Sequence, residues 1–276
     1  MNPIKVMVNG LPGNMATIAA QHIAQDSGLK LIPHSLTGAD VEAKEAQVGS
    51  EAVQLIKPDE RQDAIESIKK SEGVVVCVDY THPNAVNDNA EFYCRNGLHF
   101  VMGTTGGDRA RLAETVQGSD VCAVIAPNMG KQIVAFQAMM EYAAKTFPNV
   151  FKGYGLEIKE SHQQGKADTS GTAKAMVGYF NQLGPPFTKD DIKMERDPAV
   201  QQSEWGVPES YLSGHGWHTY SLLSEDNTVF FQFTHNVNGR DIYARGTVDA
   251  IYYLAKKIDG GDKGQAFSMI DVLKGA

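Results

Sequence analysis

The chain lacks any run of about 18 apolar residues, so no membrane span is expected. It is also short of basic charge. Its 25 Lys and Arg stand against 33 Asp and Glu, a formal net charge of −8, whereas a nucleic-acid surface would be basic. Cysteine is scarce. The three residues Cys77, Cys94 and Cys122 show no metal-ligand spacing, and Cys77 and Cys122 lie in apolar runs, which points to buried thiols in a reducing compartment. No repeat or low-complexity segment is present, and residues 1–5 lead into a strand with neither a signal-peptide nor a transit-peptide pattern. The expectation is a cytoplasmic protein, with the plastid stroma as the alternative if a transit peptide has been removed. What is there is 276 residues with 42% hydrophobic content, enough for a large core in one or two domains.

One stretch carries the most chemistry. From Glu157 the chain reads E-I-K-E-S-H-Q-Q-G-K-A-D-T-S-G-T-A-K-A-M. Leu156 and Ile158 alternate as in a strand with one buried face, and Ala173, Met176, Val177 and Phe180 form a helical stripe. Ser170 or Thr172 would cap that helix. A helix start attracts an anion, Gly171 lets one approach the backbone, Lys166 adds a positive charge, and His162 can titrate near neutral pH. Together they suggest a pocket for an acidic small molecule with a proton donor beside it. The bland alternative is a surface loop with an ordinary cap.

The N-terminal part suggests a nucleotide-binding α/β domain. Strand Ile4–Val8 precedes the turn Gly10–Leu11–Pro12–Gly13–Asn14–Met15, and a helix is expected over Thr17–Gln25. Gly10 would make the tight turn, Gly13 would admit a pyrophosphate, and Ala16 would pack helix on strand. A plain βα turn has the same spacing. A phosphate-binding P-loop is excluded because no Gly-Lys-Ser/Thr follows. A second strand is expected over Leu29–Pro33. Its end offers His34-Ser35-Leu36-Thr37 with no acid to repel a 2′-phosphate, and Ser35 and Thr37 are candidate donors to one, so NADPH is the expected cofactor with NADH tolerated. A helix is expected over Glu60–Lys70. Further strands are expected over Gly73–Val78, Leu98–Met102 and Val121–Ile125, with a helix over Ala85–Asn96, giving a Rossmann-like, doubly wound parallel sheet. Beyond it come a helix over Lys131–Phe147 with Val134, Met139, Met140 and Ala143 available for packing, and an irregular charged region through Glu209. A hairpin follows, pairing Ser221–Leu223 with Thr228–Thr234, then a turn over His235–Arg240 and a helix over Ile242–Ile258. His215, His218 and His235 show no metal-ligand spacing, and no metal is expected.

The E-S-H-Q-Q-G-K-A-D-T-S-G-T-A-K-A run resembles the substrate loop of the dihydrodipicolinate reductases, which act in the diaminopimelate route to lysine. The usual bacterial pattern has two adjacent His, then Lys, then D-A-P-S-G-T-A. Here Gln163 stands at the second His, and Thr169 replaces Ala-Pro, departures that resemble the plant-type branch. The resemblance runs from Val6 to about Leu273. It implies that His162 is the proton donor or acceptor and Lys166 the proton donor. It also implies that Gln163, Ser170, Gly171 and Thr172 contact a dicarboxylate substrate. Asp79-Tyr80-Thr81 is similar to the family's D-F-T segment, Gly103-Thr104-Thr105 to its nicotinamide-side G-T-T-G, and Ala126-Pro127-Asn128-Met129 to the second segment flanking the nicotinamide. The last helix would then return to the nucleotide domain, giving residues 1–130 with 242–276, and a smaller α+β substrate-binding and oligomerisation domain with a mixed open sheet over 131–241. A homo-oligomer, tetramer or dimer, is implied. Two other classes stay open: another two-domain NAD(P)-dependent dehydrogenase of amino-acid metabolism, and a non-catalytic nucleotide sensor.

Overall fold

A computed structural model describes residues 2–275. Contacts divide the chain into two compact units. One runs to Lys131 and resumes at Asp241, and the other is Gln132–Arg240.

The first unit opens with β1 (Ile4–Asn9), α1 (Asn14–Gln25) and β2 (Leu29–Leu31). Next come β3 (His34–Leu36), β4 (Glu45–Val48), β5 (Glu51–Ile56) and α2 (Arg61–Glu72). Then follow β6 (Val76–Asp79), α3 (Val86–Arg95), β7 (His99–Met102), α4 (Arg109–Gln117) and β8 (Ala123–Ile125). The second unit contains most of α5 (Lys131–Thr146), followed by β9 (Gly155–His162), α6 (Gly171–Leu183), β10 (Lys193–Glu195), α7 (Pro198–Ser203), β11 (His215–Leu223) and β12 (Phe230–Asn238). The chain returns to the first unit as α8 (Asp241–Asp259), β13 (Ala266–Phe267) and α9 (Met269–Gly275).

Six strands form a parallel sheet in the order β13-β8-β7-β6-β1-β2. The order reverses between β1 and β6, and ligands of such sheets bind beyond the strand carboxyl ends at that reversal. Met7, Cys77, Phe100 and Ala123 are fully buried in its core with Tyr93 and Ile65. Continuous β-branched strands are expected where both sheet faces are covered. The strand expected from Gly73 begins only at Val76, and Val74 is 71% exposed. An apolar side chain at a strand approach need not be covered when no neighbour pairs there.

Residues 34–36 depart from expectation. The chain leaves the main sheet after Leu31, and β3 joins β5 in parallel in a separate three-stranded sheet completed by β4. The only buried positions of β4 and β5 are Val48, Val53, Leu55 and Ile56. Two short strands with mostly exposed faces leave a weak alternation in a charged stretch.

In the second unit the sheet order is β10-β9-β11-β12. One face buries Ile158, Tyr220 and Leu222 against Met140 and Ala144 of α5 and Met176, Val177 and Phe180 of α6. Burying each such side chain stabilises the unit by about 1.5–3 kcal/mol. Met139, expected to pack, is 62% exposed because α5 presents Met140 and Ala144 instead. The turn expected over His235–Arg240 is strand as far as Asn238, since β11 extends far enough to pair His215 with Asn238.

Candidate active site

The turn after β1 is built around Gly10. Its φ of +104° lies in the left-handed region, and a Cβ there would sit 2.3 Å from the Tyr80 carbonyl oxygen, so a side chain is excluded. Gly13 precedes α1, and no side chain caps that helix, which leaves its first-turn amides without a side-chain acceptor, as an anion site would require. Leu11 is buried. Its amide donates to Ser35 Oγ at 3.3 Å and its carbonyl accepts from Thr37 Oγ1 at 2.8 Å. Ser35 is fully buried, so both hydroxyls brace the Gly10–Gly13 turn instead of projecting as donors to a 2′-phosphate.

Asp79, in the segment similar to the family's D-F-T, is likewise held inside the protein. It is fully buried at the end of β6. Its Oδ1 accepts from the Thr81 amide (3.0 Å), the Thr81 hydroxyl (2.8 Å) and the Thr104 hydroxyl (2.8 Å), and its Oδ2 accepts from Asn89 (3.0 Å) and Tyr93 (2.8 Å). Asn9 extends the network, donating to Tyr93 and accepting from the Leu36 amide, each at 2.9 Å. Five donors saturate a carboxylate, so Asp79 holds the two threonines in place and has no face left for a ligand.

A cleft of about 390 Å³ lies beside this network, lined by Met15, Tyr80, Thr81, Pro83, Gly103, Thr104, Thr105, Pro127, Asn128, Met129 and Tyr243. Eight of the sequence candidates converge there. Gly10, Leu11, Pro12, Gly13, Asn14, Ser35, Thr37, Asp79 and Ala126 do not line it. Tyr80, Pro83 and Tyr243 are additions. Tyr80 OH lies 2.5 Å from Thr247 Oγ1, and burial pushes its phenol up to about 12. Gly246 of α8 permits that helix to lie on the 126–130 segment, since a Cβ would meet the Met129 carbonyl at 1.7 Å. The glycine turn, the uncapped helix start and the cleft together fit a nicotinamide dinucleotide.

The second unit holds the other cluster. Ser170 caps α6, its Oγ accepting from the Ala173 amide at 3.0 Å. The Gly171 and Thr172 amides, in the first turn, have no partner within the helix, and a Cβ at Gly171 would meet open space. Lys166 is half-buried and pairs with Asp168 at 2.6 Å. His162 Nδ1 lies 3.0 Å from the His215 carbonyl, while its buried Nε2 has no hydrogen-bond partner among the described residues. Gln163 and Lys166 sit on the same turn, the Lys166 amide donating to the Gln163 carbonyl at 3.0 Å.

His162 does not titrate near neutral pH in this state. Burial first, then repulsion by His218, lowers it to about 4, although Glu160 opposes the shift. His235 is likewise lowered to about 4 by burial and by His218 and His162. The His218 ring stands edge-on to His162 at 5.1 Å and stacks on His235 at 4.6 Å. Glu160 is fully buried. Burial alone would raise its carboxyl, yet His218, Arg196 and the Ser170 amide hold it at about 2. Glu160, His162 and His218 are near enough to share a cation, but Arg196 and the Ser170 amide already occupy both Glu160 oxygens. Arg196 and the place of His218 beside His162 are not legible in the sequence, because these residues lie 26 and 48 positions beyond Ser170.

The chain matches the dihydrodipicolinate reductase family at both ends, its N-terminal part over residues 4–129 and its C-terminal part over 132–273. The chain belongs to this family. It is 47% identical over 273 residues to 4-hydroxy-tetrahydrodipicolinate reductase 1, chloroplastic, of Arabidopsis thaliana, covering 99% of this chain and 78% of the relative. It is 48% identical over 269 residues to the probable chloroplastic reductase 1 of Oryza sativa, covering 98% and 78%. The solved structure of a dipicolinate-bound dihydrodipicolinate reductase from Paenisporosarcina sp. TG-14 shares the fold, with a TM-score of 0.65 at 19% identity over 96% of this chain and 97% of that one. Burial pushes the thiols of Cys77, Cys94 and Cys122 up, away from thiolate.

Proposed function

We propose that the protein reduces 4-hydroxy-tetrahydrodipicolinate, or the dihydrodipicolinate formed from it, to tetrahydrodipicolinate. The observation that carries this reading is the succession of His162, Lys166 and the open helix start at Gly171 and Thr172 along one strand, loop and helix in a chain of this family. The nicotinamide cofactor supplies the hydride. Met15, Thr81, Thr104, Thr105 and Asn128 would hold it in the cleft of the first unit.

The residues of the second unit then have separate tasks. The Gly171 and Thr172 amides, with the Ser170 hydroxyl and the Gln163 amide group, bind the substrate carboxylates. Lys166 gives a proton to the developing carbanionic or enamine centre and offsets charge as the hydride arrives. His162 is neutral before substrate binds, and a dianion bound nearby favours its protonated form. Gln163 hydrogen-bonds but carries no charge, which leaves Lys166 and His162 as the cationic pair.

NADPH oxidation, followed with the condensation product of pyruvate and aspartate semialdehyde as substrate, tests this reading; no oxidation above the rate without substrate would overturn it. NADPH is the proposed donor with NADH tolerated, because no acid stands at the end of β2. A clearly higher kcat/KM with NADH would reverse that preference. A homo-oligomer assembled through the open face of the second sheet is proposed from its exposed Phe230, with molar mass by light scattering as the test. The compartment proposed is the cytoplasm, with the plastid stroma as the alternative favoured by the chloroplastic names of the plant relatives; fractionation of source cells separates the two.

A further inference from the structure

The loop that carries Lys166 is gripped from a distant part of the second unit. Arg196, directly after β10, spreads its guanidinium over four partners. Its Nη2 donates to Glu160 Oε1 and lies 3.4 Å from the Asp168 carbonyl, its Nε donates to the Lys166 carbonyl at 2.9 Å, and its Nη1 returns to the Glu195 carbonyl at 2.8 Å. Glu160 in turn accepts from the Ser170 amide at 3.0 Å. One buried pair therefore ties both ends of the loop, Lys166 on one side and the α6 start on the other. The same segment reaches His162. Gln201 donates to the His162 carbonyl at 2.7 Å and to the Glu195 carbonyl at 3.2 Å, and Glu195 pairs with Ser161 across β10 and β9.

We propose that Arg196, acting through Glu160, is a positioning residue that fixes Lys166 relative to the substrate-binding amides of Gly171 and Thr172. This rests on the proposed function. A guanidinium presents its donors in one rigid plane, so satisfying Glu160 and two loop carbonyls together admits a single loop geometry, which a flexible ammonium cannot reproduce. A buried ion pair whose role was stability alone would need neither bond to the loop carbonyls, and such pairs contribute little net stability. With the fork removed, the substrate must order the loop itself on binding, and the proton donor is misplaced. The nucleotide residues belong to the other unit and are unaffected.

Three variants test this: Arg196→Lys, Arg196→Met, and Arg196→Met combined with Glu160→Gln. The single Met variant strands a buried carboxylate and melts early, and the double variant relieves that charge. The expected result is a melting temperature recovered in the double variant together with kcat/KM still lowered by about tenfold or more. NADPH affinity is expected within about twofold of the parent, and hydrogen exchange at amides 163–169 is expected to be faster in all three. Recovery of kcat/KM along with the melting temperature, or exchange at the parent rate in Arg196→Lys and the double variant, would overturn the proposal. If the unaltered protein fails to reduce the substrate, the functional reading falls by itself, and hydrogen exchange still decides whether Arg196 holds the loop.

Discussion

His162 Nδ1 lies 3.0 Å from the carbonyl oxygen of His215 on the neighbouring antiparallel strand. The ring N–H donates to that carbonyl, so the tautomer is set by the backbone and Nε2 carries the lone pair. A side chain on a strand, with its ring locked by a main-chain acceptor, is placed more precisely than one on a loop. Lys166 is on the loop, which is why its neighbours matter. Replacing either residue by Ala should lower kcat by about 10²-fold or more while the NADPH dissociation constant stays unchanged. Steady-state kinetics with fluorescence-monitored NADPH binding checks this; near-parental turnover in either variant counts against the assigned roles.

Gly171 separates ligand binding from folding. A Cβ there would meet nothing within 4 Å beyond its own turn of helix among the described residues, and its backbone is not in the left-handed region. Gly171→Ala should therefore leave folding stability within about 0.5 kcal/mol, while the added methyl covers the amides intended for a carboxylate. The substrate KM should rise about tenfold, roughly 1.4 kcal/mol, with thermal denaturation unchanged. An unaltered KM would show that the carboxylate binds elsewhere.

Stability should fall as the solution is acidified. His162 and His235 titrate near 4 when folded and near 6.5 when exposed. Their folded values are depressed, so between about 6.5 and 4 the unfolded chain binds more protons, and stability drops with falling pH. Each group contributes up to about 1.4 kcal/mol per pH unit inside that window. Glu160, ionised down to about 2, stabilises the fold above the ordinary carboxylate range and adds to the loss only below about 4.5. Urea midpoints at several pH values should show the slope, and His235→Phe should flatten it; a variant with the parental slope would contradict the cause given.

The five-donor Asp79 predicts a second-unit-independent effect. In Asp79→Asn one acceptor becomes a donor facing hydroxyls that already donate. A stability loss of about 1–3 kcal/mol is expected, along with weaker NADPH binding as Thr81 and Thr104 loosen. Hydrogen exchange at amides 163–169 should not change. NADPH titration with the substrate loop monitored in parallel tells the two units apart.

Much of the candidate site was legible because its residues are adjacent in sequence. His162, Lys166 and the Ser170–Thr172 cap follow one another along strand, loop and helix, and hydrophobic periodicity locates each element without knowledge of its partners. The parallel sheet was legible for the same reason, from apolar strands alternating with helices. Short polar strands were not: β4 and β5 bury four side chains between them, and the polar end of β12 is strand because β11 pairs along it. Asp79 and Ser35 looked like ligand contacts because they end strands in the right places, yet burial turned both into braces.

The order of residues alone determined which groups could meet an anion: an imidazole, an ammonium and a helix start within ten positions need only local geometry to come together. Which of them is charged, and what holds them still, was decided by the tertiary structure. Desolvation beside His218 sets the state of His162, and Arg196 reaches the loop only because β10 lies against β9. Charge state and rigidity depend on everything packed around a group, and those neighbours come from anywhere in the chain.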